Sequence, residues 1–102
     1  MFNDASGFDS IYIACGYTDS RRGIDGLAGL VEQEFKLNPF QNALFLFCGR
    51  KTDRLKALFW EGDGFDLLYK HLENGKFKWT RTKSEVKQIT EDHYARIRNL
   101  ST

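Results

Sequence analysis

Three acidic side chains close together in the sequence could bind a divalent metal ion. Glu61, Asp63 and Asp66 carry carboxylates, which are ligands that Ca²⁺ and Mg²⁺ prefer. They lack the ordered series of ligands of a calcium-binding loop, and the carboxylates of two-metal phosphoryl transfer normally sit on separate elements of a larger fold. Glycines on both sides of Asp63 are typical of a tight hairpin turn. We therefore predict a turn and no metal site in this segment.

The histidines and cysteines do not form a recognisable catalytic or zinc-binding pattern. His71 and His93 are far apart in the sequence, and neither has a cysteine or a second histidine nearby. Cys15 and Cys48 lie within apolar runs, so we expect them to be the buried, reduced thiols of a cytosolic protein. The sequence has no glycine-rich phosphate motif and no nucleophile elbow. It therefore predicts neither an enzyme nor a bound cofactor.

Basic side chains are the strongest candidates for a binding function. The net charge of the chain is only +1, but residues 50–83 have an excess of basic side chains and residues 1–49 an excess of acidic ones. A nearly neutral total argues against indiscriminate coating of nucleic acid, yet a basic half allows a local phosphate-binding face. The candidate contact residues are Arg54, Lys56, Lys70, Lys76 and Lys78.

The elements that must position these side chains form a predicted antiparallel β-meander over about residues 43–80. Four short apolar and aromatic runs within it have the length of strands. The separators between them are Arg50-Lys51-Thr52-Asp53 and the turn signals Gly62-Asp63-Gly64 and Asn74-Gly75. The four predicted strands are residues 43–49, 54–60, 65–72 and 76–80.

Helical periodicity predicts an amphipathic helix over about residues 20–36, packed against the meander. A short strand over residues 11–15 is expected at an edge of the sheet. Acidic residues after Thr90 indicate the start of a C-terminal helix over about residues 90–100. The N-cap candidates of the first helix are Thr18, Asp19 and Ser20. These elements predict an α+β single domain over residues 1–102, with its core in residues 11–80.

Alternation along the strands predicts which side chains share a face of the sheet. We expect one face to be aromatic and covered by the first helix, and the other to carry all five basic candidates, which we name the basic stripe. Two interpretations remain open. The stripe could be an ordinary solvated face that also protects the sheet edges. It could instead contact phosphates and so position DNA without reading its sequence.

The two tryptophans are predicted to be structural. Trp60 and Trp79 each end an apolar run, and a buried indole can cover a large area while its N–H donates to a carbonyl. The competing interpretation is that one of them stacks on an unpaired base.

A long, ordered pattern of residues covers about positions 15–80 of this chain. It consists of Asp19, Arg21-Arg22-Gly23, Asp25-Gly26-Leu27, Pro39-Phe40, Leu44-Phe45-Leu46-Phe47, Asp53-Arg54-Leu55-Lys56, Trp60-Glu61-Gly62-Asp63-Gly64-Phe65, Tyr69-Lys70 and Gly75-Lys76-Phe77-Lys78-Trp79. This pattern resembles the small accessory protein, often called TnpB, of bacterial insertion sequences of the IS sixty-six type, which is distinct from the RNA-guided nuclease of the same label. The chain departs from that pattern at Ser20, where methionine is usual, at His71, where arginine is usual, and at Thr80, where proline is common.

The resemblance implies a non-catalytic protein required for transposition, with the chemistry performed by a larger transposase. The expected partners are the transposase and other proteins of the same element, and DNA is a possible partner. Two hypotheses follow: an accessory factor that contacts DNA, and a protein–protein adaptor that does not. Binding to DNA should weaken steeply with salt, whereas an aromatic protein interface should not. No apolar run is long enough to cross a bilayer and the acidic first residues do not form a signal peptide, so we expect a cytoplasmic location.

Overall fold

A five-stranded mixed β-sheet and two helices make up the fold of the computed structural model, which describes residues 5–80 and 85–99. The elements in chain order are β1 (Ser10–Ala14), α1 (Ile24–Gln33), β2 (Ala43–Cys48), β3 (Arg54–Trp60), β4 (Phe65–His71), β5 (Val86–Ile89) and α2 (Glu91–Asn99). The strands lie in the order β4-β3-β2-β1-β5. The predicted α+β class is therefore confirmed.

Two kinds of connection build the sheet. β1 and β2 are parallel neighbours joined through α1, which is the arrangement of a βαβ unit. β2, β3 and β4 follow one another as antiparallel neighbours, and β5 pairs antiparallel with β1 at the other edge. The first strand thus lies inside the sheet, between β2 and β5, and its expected position at an edge is wrong.

β2 is the centre of the hydrophobic core. All six of its residues are buried, as expected for a strand that is covered on both faces. On one face Phe45 and Phe47 pack in a cluster with Leu27 and Val31 of α1. On the other face, Leu44 and Leu46 join a cluster that includes Tyr94 and Ile97 of α2. We refer to these two sides of the sheet as the α1 face and the α2 face.

The meander ends at His71, because the predicted strand over residues 76–80 is not a strand. Phe77 is nevertheless buried, and its N–H donates to the carbonyl of Thr52 at 2.6 Å. Trp79 is half-buried against the core of the α2 face, and its Nε1–H donates to the Ala14 carbonyl at 2.9 Å. The alternation of basic and aromatic residues therefore predicted burial correctly, but the segment packs across the ends of other strands instead of pairing along one.

The helices also differ in their details from the prediction. α1 begins after Gly23, which provides no side-chain cap, and the predicted cap residue Asp19 instead accepts a hydrogen bond from the N–H of Arg21 at 2.9 Å. At the other helix, Thr90 Oγ1 accepts a hydrogen bond from the N–H of His93 at 3.1 Å. The predicted end of this helix at residue 100 lies outside the described residues. β5 was not predicted, because its sequence is short and half polar.

Lys56 fixes the loop that precedes α1. Its side chain extends from β3 on the α1 face, and Nζ donates to the carbonyls of Ser20 at 2.6 Å and Arg22 at 2.7 Å. The same ammonium lies 5.9 Å from the ring centroid of Tyr69, within the range of a cation–π interaction. These contacts join residues far apart in the sequence, so they hold the start of α1 against the sheet.

We expect Lys56→Met to destabilise the protein, because methionine keeps most of the apolar stem and removes the donors to both carbonyls. The expected loss is about 1–2 kcal/mol of unfolding free energy in urea, since hydrogen bonds from charged groups are stronger than neutral ones. Amide exchange should accelerate in the loop before α1. Lys78→Met is the matched control, because Lys78 is exposed and should stay within about 0.5 kcal/mol of the parent. Equal effects of the two substitutions would contradict the assigned role of Lys56.

We expect Trp79 to stabilise the fold through its ring and its N–H. Trp79→Phe should cost about 1 kcal/mol, the net contribution of one hydrogen bond. Trp79→Ala should cost more, roughly 3 kcal/mol, because it also removes a large ring from the core. Chemical denaturation of both variants measures the two contributions. An unchanged melting temperature for Trp79→Ala would show that this side chain is not structural.

Candidate functional site

The loops that follow β1 and β2 meet at one end of the sheet. Because the two strands are parallel, their carboxyl ends lie side by side. The N–H of Thr18 donates to the Cys48 carbonyl at 2.9 Å, so the first loop is attached to the end of β2. Five basic residues belong to these loops and to the start of β3, and we name them the basic loop end: Arg21, Arg22, Arg50, Lys51 and Arg54.

The turn between β2 and β3 presents two of these cations to solvent. The N–H of Gly49 donates to the Arg54 carbonyl at 3.2 Å, and the N–H of Thr52 donates to the Gly49 carbonyl at 2.9 Å. Thr52 has a φ of 57°, the left-handed conformation that such turns require. Arg50 and Lys51 lie between these hydrogen bonds and are exposed. Neither forms an ion pair with any of the described residues.

Two clefts open beside these residues. The larger, about 380 Å³, lies between the loop after β1 and the C-terminal half of α1. The smaller, about 250 Å³, lies over the turn between β2 and β3. Arg50 lines both clefts, Arg22 lines the larger and Arg54 the smaller. The larger cleft also carries the acids Asp19 and Glu34, so its charge is mixed.

Neighbouring carboxylates or a backbone carbonyl contact three of the cations of the basic loop end. Asp19 accepts three hydrogen bonds from the Arg21 guanidinium, the shortest at 2.9 Å, and these hold the pKa of Asp19 at about 2. Arg22 donates from Nη1 to the Gly26 carbonyl at 3.4 Å. The Nε of Arg54 is 4.0 Å from Oδ1 of Asp53, and neither atom has a hydrogen-bond partner among the described residues. Oδ2 of the same carboxylate is 3.3 Å from Nε2 of His71.

The predicted basic stripe does not lie on one face of the sheet. Cross-strand partners share a face, and the register pairs Arg54 with His71 and Lys56 with Tyr69 on the α1 face. Lys70 pairs with Leu55, so it lies on the α2 face. The faces predicted within each strand were right, but the register that relates β3 to β4 could not be read from the sequence. The expectation of a single stripe is therefore wrong.

The five predicted contact residues have different surroundings. Arg54 belongs to the basic loop end, whereas the ammonium of Lys56 is already bound to two backbone carbonyls. Lys70 extends from the edge strand β4 and is half-buried. Lys76 and Lys78 are exposed on the segment after β4, on either side of buried Phe77. The structure thus places one of the five, Arg54, in the basic loop end and the other four outside it.

Sequence reasoning missed four residues of the basic loop end. Arg21 and Arg22 lie in the half of the chain with an acidic excess, and Arg50 and Lys51, although counted in the basic half, were assigned to a separator between strands. A signal was present, because Arg21-Arg22-Gly23 is part of the pattern that carries the family resemblance. What joins the two pairs is the parallel pairing of β1 with β2, which brings both loops to the same end.

The turn after β3 and the two cysteines, which are the other candidate chemical groups, are parts of the folded framework. The predicted turn at Gly62-Asp63-Gly64 is present: the N–H of Glu61 donates to the Gly64 carbonyl at 2.9 Å, and Gly62 has a φ of 94°. Cys15 and Cys48 are buried free thiols, and burial raises the pKa of Cys48 to about 12. Within residues 5–80 and 85–99, no three His, Cys, Asp or Glu side chains are grouped so that they could hold a metal ion.

No helix in the described part of the chain is long and apolar enough to cross a membrane.

Comparisons with known proteins show the family. Residues 9–99 match the family described as IS66 Orf2 like protein. Two curated proteins of Sinorhizobium fredii are similar to the chain. One is the uncharacterized protein y4hO, 42% identical over 69 residues, which are 68% of this chain and 60% of that protein. The other is the uncharacterized protein y4jC, 32% identical over 85 residues, which are 83% of this chain and 73% of that protein.

The chain thus spans less than two thirds of the length of y4hO. No solved structure matches it. The family match extends from the residue before β1 to the last residue of α2, so it includes every element of the fold. The chain therefore belongs to the IS66 Orf2-like family, the TnpB-type accessory proteins of IS66 insertion sequences.

Proposed function

We propose that this protein is a non-catalytic accessory factor that assists the transposase of its element by contacting DNA phosphates through the basic loop end. The observation that carries the proposal is the convergence of cations from two separate loops beside open clefts. Arg50 and Lys51 are central to it, since they are exposed and form no ion pair with described residues. This surface replaces the basic stripe as the expected contact site.

The chemistry of the basic loop end suits phosphate oxygens. A guanidinium presents a planar fork of N–H donors that binds phosphate in a bidentate manner, and Arg22 and Arg50 border the same cleft. Contacts of this kind fix the position of a protein on DNA and carry no sequence information. We therefore expect the protein to hold or orient DNA, and we assign the chemical steps to the transposase.

The electrostatics favour weak binding that depends on a partner. Asp19 and Glu34 lower the positive potential of the larger cleft, and the whole chain has a net charge of only +1. A weak DNA site becomes effective when a protein partner brings it close to DNA, because the second contact then forms at high effective concentration. We therefore propose that the factor acts together with the transposase, in the cytoplasm where the DNA of the element resides.

Neutralising the exposed turn tests the DNA contact. We expect Arg50→Gln combined with Lys51→Gln to weaken DNA binding, and to lower the slope of log affinity against log salt by about two, roughly one per lost phosphate contact. Gel-shift titrations at several salt concentrations, with transposase present, measure both quantities. Transposition in cells should fall in parallel.

Lys70→Gln combined with Lys78→Gln is the matched control, because it removes the same charge at residues outside the basic loop end. We expect this pair to bind DNA and transpose like the parent. If both pairs weaken binding equally, the contact surface is broader than the basic loop end. If the parent protein never shifts DNA, even with transposase, then the adaptor hypothesis replaces this proposal.

A further inference from the structure

The end of the sheet opposite the basic loop end carries an ordered aromatic cluster. Phe40 precedes β2, Trp60 ends β3 and Phe65 begins β4. The ring centroids are 5.0 Å apart for Phe40 and Trp60, 5.4 Å for Phe40 and Phe65, and 4.9 Å for Trp60 and Phe65. Phe40 is 51% exposed, and the other two rings are half-buried. We name these three residues the aromatic end.

Backbone hydrogen bonds and strand pairing hold these rings in place, and Phe40 stays exposed. Oδ1 of Asn38 accepts a hydrogen bond from the N–H of Phe40 at 2.9 Å, which fixes the turn before β2. Trp60 and Phe65 are cross-strand partners next to the tight turn that joins β3 and β4. A preorganised aromatic group loses little conformational freedom when a partner binds, and clusters of this kind are typical of interface anchors.

Acidic side chains surround the same hairpin tip. Glu61 and Asp63 lie in the turn and Asp66 follows Phe65. A hydrogen bond with Asp66, and then the charge of that carboxylate, raise the pKa of Glu61, so these acids crowd one another. None of the three forms an ion pair with another described residue. Asp66 pairs with Phe59 on the α2 face, opposite the rings of Trp60 and Phe65, so these carboxylates would attract a basic partner to the hairpin tip through their combined charge and not by contacting one cation.

We propose that the aromatic end and its acids bind an arginine- and lysine-rich segment of a protein partner. A guanidinium can stack on Trp60 while the neighbouring carboxylates attract the remaining positive charges. The acids repel phosphate, so this cluster does not suit stacking on the bases of DNA. The inference rests on the proposed function in one respect, because the partner that we expect is the transposase, whose DNA-binding role requires basic segments.

A second copy of this chain is a poorer occupant. Its basic loop end would have to dock on the aromatic end, which is a head-to-tail contact that builds rings or open chains of molecules. Such a contact would also cover the cations that the proposed DNA contact requires. A separate basic protein would complement the acids of the aromatic end and would leave the cations of the basic loop end available for DNA.

The test uses Trp60 as its own reporter. The chain has two tryptophans, so Trp79→Phe leaves Trp60 as the single indole. In this background we expect arginine- and lysine-rich peptides taken from the co-encoded transposase to change the Trp60 fluorescence on titration. Phe40→Ser and Asp63→Lys should each weaken the binding at least tenfold. Thermal unfolding should be almost unchanged in Asp63→Lys, whose position is exposed, and Phe40→Ser should lower the melting temperature only slightly, through the lost ring contacts with Trp60 and Phe65.

Two matched variants control for general changes in polarity and charge. Tyr17→Ser removes another exposed aromatic ring, and Glu73→Lys reverses another exposed acid, both outside the aromatic end. We expect both to bind the peptides like the parent. Equal losses in these controls, or unchanged binding by Phe40→Ser and Asp63→Lys, would overturn the inference. So would concentration-dependent oligomers of the parent that dissociate in Phe40→Ser, since the occupant would then be a second copy.

The variants at the aromatic end and at the basic loop end test the two proposals separately. Phe40→Ser should lose the transposase and keep whatever DNA binding the isolated protein has, whereas Arg50→Gln with Lys51→Gln should do the reverse. If Arg50→Gln with Lys51→Gln leaves DNA binding unchanged, the proposed DNA contact is wrong and the protein interface is unaffected. Loss of the peptide result alone would remove the interface and leave the DNA contact.

Discussion

The burial of β2 on both faces is the constraint on which the rest of the structure depends. Its six residues are all buried, so each face of the sheet needs a cover and each edge of the strand needs a partner. α1 covers one face and α2 contributes to the cover of the other. β1 and β3 satisfy the two hydrogen-bonding edges. Full burial of aromatic and aliphatic side chains contributes about 1.5–3 kcal/mol each, which in a chain of this size makes β2 dominant.

The two functional ends follow from this arrangement. Covering β2 by a helix between parallel β1 and β2 brings the loops after both strands to the same end, where their arginines and lysine meet. The antiparallel return through β3 and β4 places the tight hairpin and the residues before β2 at the opposite end, where the aromatic rings and acids lie. Core contacts occupy much of both sheet faces and Lys56 is bound to backbone carbonyls, whereas the exposed residues of the two functional ends lie at the ends of the strands.

The sequence predicted the elements that have a strong periodic signal and failed where tertiary context decides. The residues of β2, β3 and β4 were recognised because their apolar and aromatic runs end at clear turn signals. β5 was missed, since its four residues include Lys87 and Gln88, which are exposed. The run at residues 76–80 has a strand-like alternation, yet it does not pair along a strand. Phe77 donates to the Thr52 carbonyl in one loop, and Thr80 accepts from the N–H of Gly16 in another. Local patterns determine which side chains are buried, and only the whole fold determines what they pair with.

The site was harder to predict than the fold for the same reason. A lysine between apolar residues in a strand has the same sequence pattern whether it binds a phosphate or, like Lys56, the carbonyls of its own chain. The face on which Lys70 lies relative to Lys56 depends on the register between β3 and β4, which the sequence of either strand alone does not determine. Arg50 and Lys51 became important only when the parallel pair of strands brought them to the loop that carries Arg21 and Arg22.

The separation of the two ends allows a nearly neutral protein to carry two independent electrostatic surfaces. β3 runs from Arg54 at one end to Trp60 at the other, a length of about 20 Å at the rise of a β-strand. This exceeds twice the screening length of about 8 Å at physiological ionic strength. The acids near Trp60 therefore do little to weaken the attraction of the basic loop end for phosphate, and the cations do little to repel a basic segment from the aromatic end. A net charge of +1 therefore does not describe the local field that either surface presents to a partner.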